Sequence, residues 1–195
     1  QLPPDGVMTH LDYTSYAHAI FVRRMIGQAS YTTIYMDQDE VLRNAYASAF
    51  DARIAFGRVD MAAVQFQKHM EIDEKRDLSN ACRPMIRQMA NTWGCGQEEA
   101  ITRKMAWDYV ELCVQETDWR NRWVAHPKDT TNEPRRRIQY LTDTNRRGLI
   151  DIGWTLSGAT LAPVDNYLMR IRRKLYYLER PIPSHTNASR LYYGY

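Results

Sequence analysis

Five histidines (His10, His18, His69, His126, His185) and three cysteines (Cys82, Cys95, Cys113) are the metal-binding and nucleophilic candidates in this chain of 195 residues. Their spacing matches neither H-E-x-x-H nor C-x-x-C, so no zinc site is expected. Cys113 stands between Leu112 and Val114 on a helical stretch, where a thiol behaves as a small hydrophobe. No G-x-S-x-G elbow presents a serine. Gly94-Cys95-Gly96 lacks the third glycine and the preceding strand of a dinucleotide loop and reads as a helix C-cap. The chain therefore reads as non-enzymatic, with no catalytic residue and no metal. Asn187-Ala188-Ser189 matches a glycosylation triplet, but three cysteines cannot all pair within one chain, which points to a reducing compartment.

Charge offers two other chemistries. The runs Arg135-Arg136-Arg137, Arg146-Arg147 and Met169-Arg170-Ile171-Arg172-Arg173-Lys174 lie beside Leu175, Tyr176 and Tyr177, a combination that could join phosphate contacts to stacking on RNA bases. The same runs suit a helix that pairs with acidic protein neighbours or anionic lipid headgroups. Of the 26 basic residues, all but five (Lys68, Lys75, Lys104, Lys128, Lys174) are arginine, the residue of fixed bidentate contacts. A net charge of +3 excludes a histone-like binder, and no stretch is apolar for long enough to span a membrane as a helix.

The elements that must position these residues read as helices. Thr9-His10-Leu11-Asp12 is a capping box, followed by Tyr13, Tyr16, Ala17, Ile20, Phe21 and Met25 as an apolar face ending near Gly27. Ser30 to Thr33 reads as a loop. Asp37, Asp39 and Glu40 suit the start of a second helix carrying Val41, Leu42, Ala45, Tyr46, Ala49 and Phe50, which Gly57 stops. Asp60 would cap a third helix with Met61, Val64, Phe66 and Met70 inward. Pro84 would open a short helix to Trp93, and Gln97 to about Trp119 a long one with Ile101, Met105, Tyr109 and Leu112 inward. His126 to Pro134 reads as a polar loop, Arg135 to Arg147 as helical, and Gly148 to Pro163 as irregular. A basic helix begins at Pro163. The aromatic tail after Pro181, with Leu191, Tyr192, Tyr193 and Tyr195, is expected to be ordered only against a partner. The expected fold is all-α: a three-helix bundle over residues 1–78 and a helical, irregular extension over 79–195 that contacts neighbouring subunits.

The sharpest constellation is Ile20-Phe21-Val22-Arg23-Arg24 on the first helix, with Phe50 following Phe21 by 29 positions. This order, with Val59-Asp60-Met61-Ala62-Ala63-Val64 as the opening of a third helix, resembles the mitochondrial LYR-motif family. Ile20-Phe21 or Phe21-Val22 stands where that family has Leu-Tyr, and the likeness covers residues 9–78. The resemblance implies a non-catalytic accessory subunit, most like those of respiratory complex I (NADH:ubiquinone oxidoreductase), peripheral to the matrix side of the mitochondrial inner membrane. It implies a small acidic acyl carrier protein as partner, with Arg23 and Arg24 on its phosphate and acidic helix. Ile20, Phe21, Phe50 and Phe66 would then line a channel for the acyl chain of its phosphopantetheine, the chain itself binding no cofactor directly. The alternative is an RNA-contacting accessory protein of a mitochondrial ribosome, or another structural interaction subunit. A sequence beginning at Gln1 fits a trimmed chain or a mature one freed of a targeting segment.

Overall fold

A computed structural model of the chain describes residues 11–142 and 147–174. The capping box from Thr9, the sequon and the tail after Pro181 lie outside those residues. In order, the elements are α1 (Leu11–Met25), β1 (Thr32–Met36), α2 (Glu40–Ala55), β2 (Val59–Gln65), α3 (Ile72–Trp93), α4 (Gln97–Gln115), a single 3-10 turn (Trp119–Asn121), β3 (Trp123–Ala125), β4 (Arg137–Tyr140), α5 (Leu149–Ser157) and α6 (Ala162–Lys174). The chain divides into two units, 1–160 and 161–195.

The expected all-α class is overturned by a four-stranded mixed sheet of order β1-β2-β4-β3. β1 and β2 run parallel, with α2 as their crossover, and β4 is antiparallel to both β2 and β3. The segment expected to open a third helix is thus β2, and there is no three-helix bundle over 1–78. Met61, Ala62, Ala63 and Val64 are all buried because β2 is a central strand covered on both faces, and such a strand loses the alternation that marks a half-exposed one. Met and Ala also favour helix intrinsically, so pairing and burial override local preference here. Three further readings change. Thr32 and Thr33, expected in a loop, open the strand Thr32–Met36, Arg137–Tyr140 is a strand rather than part of a helix, and Leu149–Ser157 is a helix despite Gly153. α3 begins at Ile72, so Pro84 lies in its interior rather than at its start.

Other local signals hold. Asp39 accepts a hydrogen bond from the Leu42 amide at 2.8 Å, capping α2 as its acidic start predicts. Gly94 ends α3 at φ 60°, a left-handed conformation open to glycine at little cost.

Strand parity sorts the first unit into layers. Val59 and Met61 join Ala19, Met36, Ala45, Tyr46, Ala49 and Phe50 in one apolar core under α1 and α2. The intervening residue Asp60 faces the other way, towards α5, where its carboxylate meets Thr155. The register pairs Thr33 with Asp60, and both Tyr35 and Tyr140 with Ala62, so these side chains share the α5 face. α5 packs against α4 at very close range: a Cβ built on Gly153 would lie 2.6 Å from the Thr102 carbonyl oxygen and 3.0 Å from the Ala106 Cβ.

The second unit holds α6, a 13-residue helix with Asp165 in its first turn.

Candidate functional site

α1 places its apolar residues opposite to the sequence expectation. Ala19 is the residue turned fully inward, with Val22 and Ile26 half-buried beside it, whereas Ile20 is 46% and Phe21 60% exposed. Tyr13, Tyr16 and Met25 also stand on the solvent side. A soluble helix normally hides such residues.

The basic residues lie next to this outward surface. Ile20, Arg23, Arg24, Gly27, Arg53 and Arg58 line a cleft of about 560 Å3. Four guanidinium groups and no carboxylate form its wall. Arg53 is held in place: Nη1 donates to the Gly27 carbonyl at 2.8 Å and Nη2 to the Ala29 carbonyl at 2.5 Å, so this arginine pins the turn that follows α1. Arg23, Arg24 and Arg58 are exposed and enter no ion pair among the described residues. Like charges gathered this way, with Ile20 alongside, suit an acidic surface bearing an apolar element.

The expected channel residues are distributed differently. Phe50 is fully buried and stacks on Tyr46, with ring centroids 6.0 Å apart. Phe66 is half-buried just beyond the end of β2. Ile20 and Phe21 face outward, so the structure brings Ile20, Arg23 and Arg24 together and leaves Phe50 and Phe66 apart from them.

A second polar site has no counterpart in the sequence motifs. Asp60, 2% exposed, accepts from the Tyr31 hydroxyl at 2.5 Å and the Thr155 hydroxyl at 3.3 Å, and its Oδ2 lies 3.3 Å from Arg147 Nε. Tyr35 donates to the Thr155 carbonyl at 3.0 Å. Burial pushes the Tyr35 phenol up to about 12, with the Tyr31 and Asp60 charges adding to it, and raises Tyr140 in the same direction. Among the described residues, the Tyr140 hydroxyl, Thr142 Oγ1 and Arg147 Nη2 are buried without a hydrogen-bond partner. The Asp60 carboxylate is already matched by one guanidinium, so the cluster is closed on itself as a buried hydrogen-bonded ion pair. Asp60's partners lie 29, 87 and 95 positions away, so no local pattern announces the site.

A third buried cluster fastens the loop from Ala125 to Arg137 to the end of α5. Arg136 Nη1 donates to Glu133 and to the Ala159 carbonyl, both at 2.8 Å, and Thr160 donates to the same carboxylate. His126 accepts from the Lys128 amide through Nδ1 at 3.0 Å, which leaves the proton on Nε2 to be donated to the Ser157 carbonyl at 3.1 Å. Burial, reinforced by the Arg136 charge, lowers this imidazole to about 4. Among the described residues no group of His, Cys, Asp and Glu is arranged to hold a metal ion, and no helix is long and apolar enough to cross a membrane.

Comparison of the chain with protein-family models, curated proteins and solved structures found no match.

Proposed function

We propose that the chain is a binding subunit that docks a small acidic carrier protein on the outward face of α1. The observation that carries this reading is the cleft of Arg23, Arg24, Arg53 and Arg58 lined also by exposed Ile20, with Phe21 exposed on the same helix. Arginine clusters recognise phosphate and carboxylate groups by paired hydrogen bonds. An acidic helix carrying a phosphopantetheine offers both, and its apolar arm finds Ile20 beside the arginines of the cleft. The likeness to LYR-motif proteins points to the same partner through Arg23 and Arg24, and the cleft supports it without any third helix. The wider setting, an accessory subunit of respiratory complex I at the matrix side of the mitochondrial inner membrane, rests on that likeness alone.

The test is capture of purified holo-acyl carrier protein by the full chain. Arg23→Glu combined with Arg24→Glu should weaken capture at least tenfold while leaving circular dichroism unchanged, since both side chains are exposed. Removing the phosphopantetheine from the carrier should also weaken capture. Capture indifferent to both changes would refute the reading.

A further inference from the structure

α6 carries a pattern that the arginine cleft does not explain. Val164, Tyr167, Leu168 and Ile171 recur at intervals of three and four, which aligns them on one side of the helix. In sequence the interval continues to Leu175 and Leu178. Most of the stripe is uncovered: Val164 is 54%, Tyr167 64% and Leu168 42% exposed, with Ile171 half-buried. In sequence, Arg170, Arg172, Arg173 and Lys174 all fall outside the stripe's interval of three and four, as does exposed Met169, and Asp165 in the first turn is the one acidic residue of the described helix.

This segregation decides the occupant. A protein groove that takes a helix in water requires apolar anchors, yet it does not require cations outside their interval. A single-stranded nucleic acid is held by cations and several aromatic platforms interleaved on one surface, whereas here the stripe holds a single aromatic ring, Tyr167, among Val164, Leu168 and Ile171, and the cations fall outside its interval. An apolar stripe bordered by arginine and lysine on a helix of low overall hydrophobicity is the arrangement that lies in a membrane interface, with aliphatic side chains among the acyl groups and cations at the headgroups. The 13 described residues of α6, four of them basic, are fewer than the about 20 apolar ones that span a bilayer. It can lie along one.

We infer that α6 binds the surface of an anionic lipid bilayer, with Val164, Tyr167, Leu168 and Ile171 inserted and Arg170, Arg172, Arg173 and Lys174 on acidic headgroups. This surface belongs to the second unit of the chain and stands independently of carrier docking on α1.

The experiment is co-sedimentation of the full chain with vesicles of phosphatidylcholine alone or with one third phosphatidylglycerol. The chain should sediment with the anionic vesicles and remain in solution with the neutral ones, and binding should decline as salt is raised. Arg172→Gln with Arg173→Gln should weaken vesicle binding roughly thirtyfold, at about 1 kcal/mol for each basic residue at a charged surface. Leu168→Ser with Ile171→Ser should abolish it even at low salt. Circular dichroism and carrier capture, followed on the same variants, should not change, so that loss of fold and failure of the carrier reading are each visible separately. The inference is overturned if the chain ignores anionic vesicles, if it binds neutral vesicles equally, if the Leu168/Ile171 variant binds as the parent does, or if the α6 changes abolish binding to a structured RNA while vesicle binding persists.

Discussion

The Arg147 guanidinium lies 4.0 Å from the centre of the Tyr31 ring while its Nε approaches Asp60, so one cation is shared between an aromatic face and a buried carboxylate. The Tyr31 hydroxyl donates to that same carboxylate, which makes a closed three-membered arrangement linking β2 to the segments before β1 and before α5.

A double-mutant cycle between Tyr31 and Arg147 should resolve the stack. Tyr31→Phe keeps the ring and removes a hydrogen bond to a charged group, at about 1.5 kcal/mol, the low end of the range because Tyr31 is 41% exposed. Arg147→Ala should cost more, since Asp60 would be left buried without its cation. The coupling of Arg147→Ala with Tyr31→Leu should exceed its coupling with Tyr31→Phe by about 0.5–1 kcal/mol in urea unfolding. Equal coupling in the two cycles would mean that the ring contributes nothing to the cation.

His126 sets a pH dependence whose sign follows from its lowered value. The folded chain holds the imidazole neutral down to about 4, whereas the unfolded chain protonates near 6.5. The unfolded state therefore binds more protons between those limits, and stability rises with pH across that window. Its contribution is fully present above pH 6.5 and is lost as pH falls to about 4, a change on the order of 3 kcal/mol. Urea unfolding of the parent and of His126→Gln, measured from pH 4 to 7.5, should show a shallower slope in the variant. Identical slopes would place the acid sensitivity elsewhere.

Gly153 tests the closeness of α4 and α5. Alanine is the better helix former by about 1 kcal/mol, but its Cβ would sit 2.6 Å from the Thr102 carbonyl. Gly153→Ala should therefore destabilise the chain by about 1–3 kcal/mol net. A higher melting temperature in calorimetry would contradict that packing.

Helices with their own punctuation are legible in the sequence. α2 carries its acidic start and Gly57 beyond its end, and α4 starts at the expected Gln97. What local pattern does not give is the sheet. β2 is buried on both faces and rich in Met and Ala, so it mimics a helix, and only pairing with β1 and β4 makes it a strand. β1 does carry a signal, since Thr32-Thr33-Ile34-Tyr35 is a β-branched and aromatic run. On α1 the periodicity misassigns the buried face because apolar residues occupy most of the circumference: small Ala19 faces the core and Phe21 the solvent. Asp60 reads as a cap because it precedes an apolar run, and its partners come from distant segments. Arg23 and Arg24 are identifiable from position alone, whereas Arg53, from the last turn of α2, and Arg58, from the turn that follows it, reach the same cleft only through the packing of α2 against α1.

The order of strands also has a consequence for synthesis. β1, α2 and β2 leave the ribosome in succession and can pair at once, but Ala62 of β2 waits for Tyr140 of β4. At ordinary elongation rates that interval lasts roughly 4–15 s. Throughout it, one edge of an apolar strand, Met61-Ala62-Ala63-Val64, offers unpaired backbone amides and carbonyls to any other extended chain nearby. A nascent chain stalled before Arg137 would keep that edge open indefinitely, making the half-built protein a client for chaperones and a seed for aggregation in a way the finished one is not.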